Sequence, residues 1–290
     1  MKEINMNANR LKGLIDMHIH SAPDIRQRKM NDLEIMEAAV ERGVRAVVIK
    51  SHQVPTVDRA TLVNQIAMEK YGSDVGFSMF GGITLNRSVG GLNPYAVEVA
   101  LKLGGKVVWL PTMTSENHCK KGASGPAVIC TENGKVVDKM KDIFSIVKDY
   151  DAVLATGHIS DKECFIVAEA ARDAGVKKIV ITHPEFHIVG MSPEDQIRIV
   201  KDYDVMLEKV YAQPIGGGVY KKNLSDNVDI MRAIPAKNII VSTDGGQMQN
   251  PEWYNTITEY VDYLYNSGIP EEDIIMMTQK NPASLLGISD

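Results

Sequence analysis

Two hydrophobic periodicities alternate along almost the whole of this 290-residue chain. Short apolar, β-branched runs have the pattern of strands covered on both faces. Each gives way to a stretch whose apolar residues recur at helical spacing. The strand candidates are 13–19, 45–50, 75–83, 106–111, 152–157, 178–182, 205–212 and 238–242. Helical stretches lie between them near 31–42, 57–71, 93–103, 139–149, 161–174, 192–202, 224–233 and 251–267, and a last helix covers 271–286. Gly43, Gly104 and Gly175 stand where three of these helices should end. Ser192-Pro193-Glu194-Asp195 supplies an N-cap, a proline at the first helical position and acids in the first turn, and Asn93-Pro94 reads the same way. Eight strands alternating with eight helices predict an α/β chain folded as a (β/α)8 TIM barrel. Barrels routinely exceed ordinary domain length, so residues 1–290 are expected to form one domain.

One segment departs from the rhythm. Residues 113–138 hold Ala127-Val128-Ile129-Cys130, then Thr131-Glu132-Asn133-Gly134, then Lys135-Val136-Val137. Asn-Gly between β-branched runs is a strong hairpin signal, which predicts a β-hairpin inserted after strand four. Such an insertion shapes a substrate pocket or an oligomer contact. Gly216-Gly217-Gly218, after strand seven, has neither the Lys-Ser/Thr of a P-loop nor a dinucleotide fingerprint, and reads as a lid or hinge.

Hydrophobic residues at 44% and charged residues at 24% match a soluble globular chain with a sizeable core. A formal charge of −5 provides no basic footprint for nucleic acid or an anionic membrane. No apolar run approaches the roughly 20 residues that span a bilayer, and the first residues lack a leader-like apolar region. The expectation is a cytoplasmic, homo-oligomeric protein acting on a small molecule. Cys119, Cys130 and Cys164 form no CxxC pair or disulfide framework, and Cys119 beside His118 reads as a bystander.

The chemistry-bearing residues gather at the predicted strand ends. All seven histidines fall outside the expected helices. His18 and His20 close strand one, His52 follows strand two, and His158 and His183 follow strands five and six. His118 and His187 lie on the loops after two of these segments, and Asp244 follows strand eight. Residues i and i+2 of a strand face the same way, so His18 and His20 can bind one ion together. C-terminal strand ends of a parallel barrel converge on one mouth. Imidazoles and a carboxylate gathered there point to a divalent metal such as zinc.

The runs Asp16-Met17-His18-Ile19-His20, Thr156-Gly157-His158, Ile181-Thr182-His183 and Ser242-Thr243-Asp244, with the closing Asn281-Pro282-Ala283-Ser284-Leu285-Leu286-Gly287, resemble the metal-dependent amidohydrolase superfamily. Ser21-Ala22-Pro23-Asp24, Arg28-Lys29-Met30 and Lys50-Ser51-His52 are similar to a bacterial amidohydrolase-related branch without an assigned function. The resemblance implies one or two ions, zinc or else manganese, iron or cobalt. It places His18, His20 and Asp244 at a first ion, and gives His158 and His183 to a second ion, to the first, or to substrate polarisation. It makes Asp244 the acceptor of a proton from metal-bound water. Asp16 would orient a ligand histidine from behind.

The departure from the superfamily is at strand four, Lys106-Val107-Val108-Trp109-Leu110-Pro111-Thr112, which ends without the bridging lysine or glutamate that two-metal members often carry. Lys50, on one face with His52, is the first substitute, as carbamate, substrate anchor or proton donor; Glu116 and His118 are the others. His52 and His118 stand as metal ligands or substrate contacts, and His187 as a rim contact. Arg28 and Arg87 are the guanidinium candidates for an anionic substrate. The implied activity is hydrolysis of a C–N or C–O bond in a cyclic amide, lactam or lactone, with Asp244, Lys50 and His183 carrying the chemistry. A decarboxylase or hydratase on the same scaffold, a phosphotriesterase-like hydrolase and a non-catalytic metal binder are the alternatives.

Overall fold

The computed structural model describes residues 10–288. Its strands are β1 (Ile15–Ile19), β2 (Ala46–Ile49), β3 (Ser78–Phe80), β4 (Gly82–Thr84), β5 (Val107–Trp109), β6 (Thr131–Glu132), β7 (Lys135–Val136), β8 (Val153–Ala155), β9 (Lys178–Ile181), β10 (Met206–Val210), β11 (Ala212–Gly216), β12 (Val219–Lys222) and β13 (Ile239–Ser242). Helices Asp32–Glu41, Val57–Tyr71, Pro94–Lys102, Asp138–Asp149, Asp161–Asp173, Pro193–Tyr203, Leu224–Ala233 and Trp253–Asn266 alternate with the parallel strands. The fold is α/β, of the (β/α)8 TIM-barrel type with a β-hairpin inserted after the fourth strand position. Backbone hydrogen bonds do not by themselves close the strands into a ring. The first nine residues, where no leader pattern was read, lie outside the described residues. No described helix is long and apolar enough to cross a membrane.

The chain packs as two compact units. The first comprises the described parts of Met1–Lys50 and Lys209–Asp290 together with Asp58–Gly81; the second comprises Ser51–Val57 and Gly82–Glu208. In the first unit β1, β2 and β3 are parallel neighbours, with Asp16 opposite Val47 and Val47 opposite Met79. All residues of β1 and β2 are buried, as expected of parallel strands covered on both faces. A bridge between Ile19 and Gly245 sets the segment after β13 beside the end of β1. In the second unit β4, β5, β8, β9 and β10 follow one another in parallel register.

Local chemistry explains the boundaries. Asn31 caps its helix and receives Glu34 in return, a reciprocal pair repeated by Ser160 and Glu163. Ser192 accepts from Asp195 N with Pro193 in the first turn. Asn133 and Gly134 have φ of 50° and 74°, the left-handed pair that a two-residue hairpin turn requires.

Several expectations need correction. The strand expected over 75–83 is two short strands on either side of Gly81. The hairpin β6–β7 pairs only Thr131 with Val136 and Glu132 with Lys135. Val128 turns away to pair with Ser115. A short helix, Glu116–Lys120, precedes the hairpin and carries His118, so not every histidine lies outside a helix. Gly216-Gly217-Gly218, expected as an irregular lid or hinge, is the tip of an antiparallel hairpin, β11–β12, which the sequence reading did not include. The closing helix is broken into Glu271–Ile275, a π turn over Met276–Lys280 and Asn281–Leu286. Pro282 has no N–H to return to the preceding turn, which accounts for the break.

One buried carboxylate ties the first unit together. Asp16, with no exposed surface, accepts from His18 N (3.0 Å), Thr243 N (3.2 Å), Thr243 Oγ1 (2.7 Å) and Trp253 Nε1 (2.9 Å). It thereby joins β1, the end of β13 and the helix Trp253–Asn266. Burial pushes its pKa up to about 6, opposed by those donors. Asp16→Asn places an amide N–H2 against groups that also donate, so it should destabilise the fold by roughly 2–4 kcal/mol. Trp253→Phe removes one donor and leaves the other three, and should cost less. Urea unfolding of the two variants checks both the size and the order.

Candidate metal centre and a second histidine group

The first unit brings a compact set of donors to its strand ends. His18 lies within β1 and His20 follows it; Lys50 follows β2; Asp244 stands two residues past β13. The two imidazole centroids are 5.3 Å apart. His18 Nε2 is 3.2 Å and His20 Nε2 3.1 Å from Asp244 Oδ1. Lys50 Nζ is 3.0 Å from His18 Nε2. Burial is nearly complete for His18, His20 and Lys50, while the Asp244 side chain keeps 18% of its surface exposed. Burial, reinforced by the Lys50 charge, pushes the His18 pKa down to about 3. Burial and the Arg28 charge hold His20 well below the usual imidazole range. Both rings are therefore neutral, the form that ligates metal.

Hydrogen-bond direction sharpens this. His20 Nδ1 is 3.0 Å from the Lys50 carbonyl oxygen, which can only accept. The ring proton of His20 thus sits on Nδ1, and Nε2 presents a lone pair. That lone pair faces a carboxylate oxygen at 3.1 Å, two acceptors in contact, unless a cation stands with them. Metal ligands held tetrahedrally at about 2.0–2.2 Å stand roughly 3.3–3.6 Å from one another, close to the separations seen here. His18, His20 and Asp244 form a group of three ligand atoms all within 4.8 Å of one another. With Lys50 Nζ withdrawn from the His18 Nε2 lone pair that it meets here, the donor set fits a divalent ion.

The backbone places these atoms. Asp244 has φ of 48°, a left-handed conformation that aspartate tolerates better than most residues. Gly246 has φ of 103°, and a Cβ there would lie 1.7 Å from the His20 carbonyl oxygen. Only glycine lets the loop after β13 lie against the end of β1, where His20 N donates to Gly245 O (2.9 Å) and Lys29 N to Gly246 O (2.9 Å). Asp16 receives the backbone N–H of His18, so it orients the segment carrying His18 through the main chain. The Arg28 guanidinium is held by Asp24 Oδ2, at 2.8 Å from Nε and 2.7 Å from Nη2, with both side chains almost fully buried. Its Nη2 lies 3.4 Å from His20 Nδ1.

The second unit gathers four more histidines. His158 packs against His183, His118 and His52, with ring centroids 5.1, 5.0 and 5.9 Å away. Phe186 caps His158 and His183 edge-on. His158 Nδ1 and His118 Nδ1 are 2.8 Å apart, so one of them carries the proton and the other accepts it. The His158 carbonyl accepts from Ser115 Oγ (3.0 Å) and Asn117 Nδ2 (3.1 Å). At Gly157, φ is 62°, and a Cβ would lie 2.3 Å from Leu110 O. His183, at φ 27°, is left-handed as Asp244 is. His52 Nδ1 is 2.8 Å from Thr112 Oγ1.

Three further expected site residues belong to the second unit. Arg87 is exposed and donates to Ser124 O at 3.1 Å. Glu116 pairs with Lys120 at 2.9 Å. His187 is exposed beside Phe186. The sequence reading missed Thr243, Trp253 and Asp24 in the first unit, and Asn86, Thr112, Ser115 and Asn117 in the second. Of these, Ser115 and Asp24 carried a local signal, as an N-cap before Glu116 and as an i,i+4 partner of Arg28.

Comparison with known proteins places the fold. A solved amidohydrolase from Pseudomonas aeruginosa superposes with a TM-score of 0.66 at 13% identity, covering 97% of each chain. The organophosphorus hydrolase from Deinococcus radiodurans gives 0.60 at 15% identity, over 97% of this chain and 94% of that one. The 2,6-dihydroxybenzoate decarboxylase from Rhizobium gives 0.54 at 12% identity, over 95% and 99%. No curated protein sequence matches the chain. The model of a "Family of unknown function (DUF6282)" matches residues 13–208, about two thirds of the length, and the chain belongs to that family.

Proposed function

We propose that this protein is a metal-dependent hydrolase that cleaves a C–N or C–O bond of a small, polar, anionic molecule, a cyclic amide, lactam or lactone. One observation carries the reading. Two neutral imidazoles and a carboxylate converge at strand ends, with a His20 lone pair turned toward an Asp244 oxygen. His18, His20 and Asp244 would hold a divalent ion, and nitrogen and oxygen donors of this kind suit zinc, manganese, iron or cobalt. When bound, such an ion lowers the pKa of a water ligand from 15.7 to about 7 and polarises a carbonyl.

The remaining roles belong to the chain. Asp244 is the most exposed member of its group, so it would accept the proton of the attacking water and pass it to the leaving group. Lys50, buried against His18, would act next to the ion as proton donor, carboxylate anchor or carbamate. Arg28, already paired with Asp24, would tune the charge around His20. His158 and His183 would hold a second ion of their own or polarise the ligand, with His118 set against His158. Residues 1–290 would serve this as one domain, in a cytoplasmic homo-oligomer.

A lyase is the second reading, favoured by the buried Lys50 amine 3.0 Å from His18 Nε2, a proton source suited to a carbanion left after loss of CO2. The product distinguishes the two: a new carboxylate marks hydrolysis, and CO2 marks the lyase.

Elemental analysis of the purified protein should find at least one divalent ion per chain, and His18→Ala should lose it. Gly246→Ala should weaken metal binding by roughly 10–100-fold, the usual cost of disturbing what supports a ligand, since its methyl group would displace the His20 backbone. A metal content unchanged by both substitutions would refute the site.

Against a panel of lactones and cyclic amides assayed by acid release, Asp244→Asn should lower turnover by about 10²–10⁴-fold with the fold intact. Lys50→Met should do the same, because it keeps the length and removes the amine. Full turnover in either variant would move the chemistry to another residue.

A further inference from the structure

The histidine group of the second unit contains a hydrogen-bond chain whose direction is set at its far end. Asn86 Oδ1 accepts from the backbone N–H groups of Thr112 (2.9 Å) and Thr114 (3.1 Å) and from Thr114 Oγ1 (2.9 Å). A backbone N–H can only donate, so these bonds fix which end of the amide is oxygen. Asn86 Nδ2 therefore donates, to the His52 carbonyl at 2.9 Å and to Thr112 Oγ1 at 2.7 Å. Thr112 Oγ1 has a second neighbour, His52 Nδ1, at 2.8 Å. A hydroxyl has one hydrogen, and it cannot be given to an amide nitrogen that is itself donating. It goes to His52 Nδ1, which leaves the ring proton of His52 on Nε2.

The opposite arrangement fails on the same count. Were Nδ1 to carry the proton, Thr112 Oγ1 would accept from both sides and its own hydrogen would meet no acceptor, inside a site where Thr112 has no exposed surface. A metal binds through a nitrogen lone pair, and the lone pair of neutral His52 already receives the Thr112 hydroxyl.

We propose that Asn86 and Thr112 hold His52 as a fixed Nε2–H donor toward an anionic oxygen of the ligand taken by this histidine group, and keep it from ligating metal. This rests on the proposed function, in which the histidine group of this unit binds or polarises a ligand, and it separates His52 from His158 and His183, the metal candidates of the same unit.

Long-range nitrogen–proton correlation on zinc-loaded protein carrying ¹⁵N-histidine tests the tautomer directly, with His52→Gln assigning the signals. The expected spectrum has a protonated Nε2 and an unprotonated Nδ1 at His52, held by Thr112→Ser and lost in Thr112→Val. Titration with inorganic phosphate should shift the Nε2 resonance. His52→Ala should keep the metal-to-chain ratio of the wild type. A protonated Nδ1, a spectrum indifferent to Thr112→Val, a resonance unmoved by phosphate or a lost ion would each overturn the proposal. The tautomer is read on the protein with or without zinc, so failure of the metal reading shows separately, in the elemental analysis of His18→Ala.

Discussion

The first unit depends on a carboxylate that never meets solvent. Asp16 stands two residues before His18 on β1 and receives four donors from three segments. Buried acceptors of this kind are costly unless fully paired, and a fully paired one leaves its partners little freedom. The result is a fixed spacing between the end of β1, which presents His18 and His20, and the end of β13, which presents Asp244. Thr243 is the hinge of that arrangement. Its N–H and hydroxyl bind Asp16, and its hydroxyl also accepts from Gly245 N at 3.0 Å, so the residues on both sides of Asp244 are held.

Backbone strain appears where side chains must be aimed. Asp244 and His183 are both left-handed, at corresponding positions two residues past β13 and β9. Non-glycine residues adopt this region rarely, and they keep it only where their surroundings impose it. Around Asp244 the imposing contacts are visible: Thr243 clamped by Asp16, and Gly246 lying on the His20 carbonyl. Near His183, Thr182 N donates to Thr156 Oγ1 and Gly157 N donates to Thr182 Oγ1, a reciprocal pair that locks the ends of β8 and β9 together. In each unit a pair of neighbouring strands is fastened by side chain to main chain just before the left-handed residue.

The alternation of periods and the residues at strand ends were readable in the sequence because both depend on local pattern. The helix Val57–Tyr71 and the helix Leu224–Ala233 fall on the expected boundaries, and His18, His20 and Asp244 come together as the strand-end argument required. What escaped was set by partners distant in sequence. Asp16 and Trp253 are separated by 237 residues, and nothing near Trp253 announces that its indole N–H has a buried acceptor waiting. Arg28 read as a grip for an anion, and its pairing with Asp24, four residues before it, was no part of that reading. The glycine triplet read as mobile because the strand Val219–Lys222 is exposed and polar, without the alternation that marks a half-buried strand. Glu116–Lys120 is only five residues long, too short for a periodicity to show.

Histidines alike in sequence position are made different by what Nδ1 meets. For His20 the neighbour is the Lys50 carbonyl, an obligate acceptor, so the proton is drawn to Nδ1 and Nε2 presents its lone pair. For His52 the neighbour is a threonine hydroxyl whose oxygen is already occupied by an amide donor, so the proton is driven to Nε2 and that nitrogen becomes a donor. Both follow the end of a parallel strand and both are buried; the His-x-His spacing singles out His20, but no local pattern reports which nitrogen of either ring carries the proton. The distinction is carried by one carbonyl and one hydroxyl. In a protein whose histidines gather at strand ends, the directions of a few hydrogen bonds sort rings that present a lone pair at Nε2 from rings that present an N–H there, and those directions are fixed by Asn86, Thr112 and the main chain of Lys50.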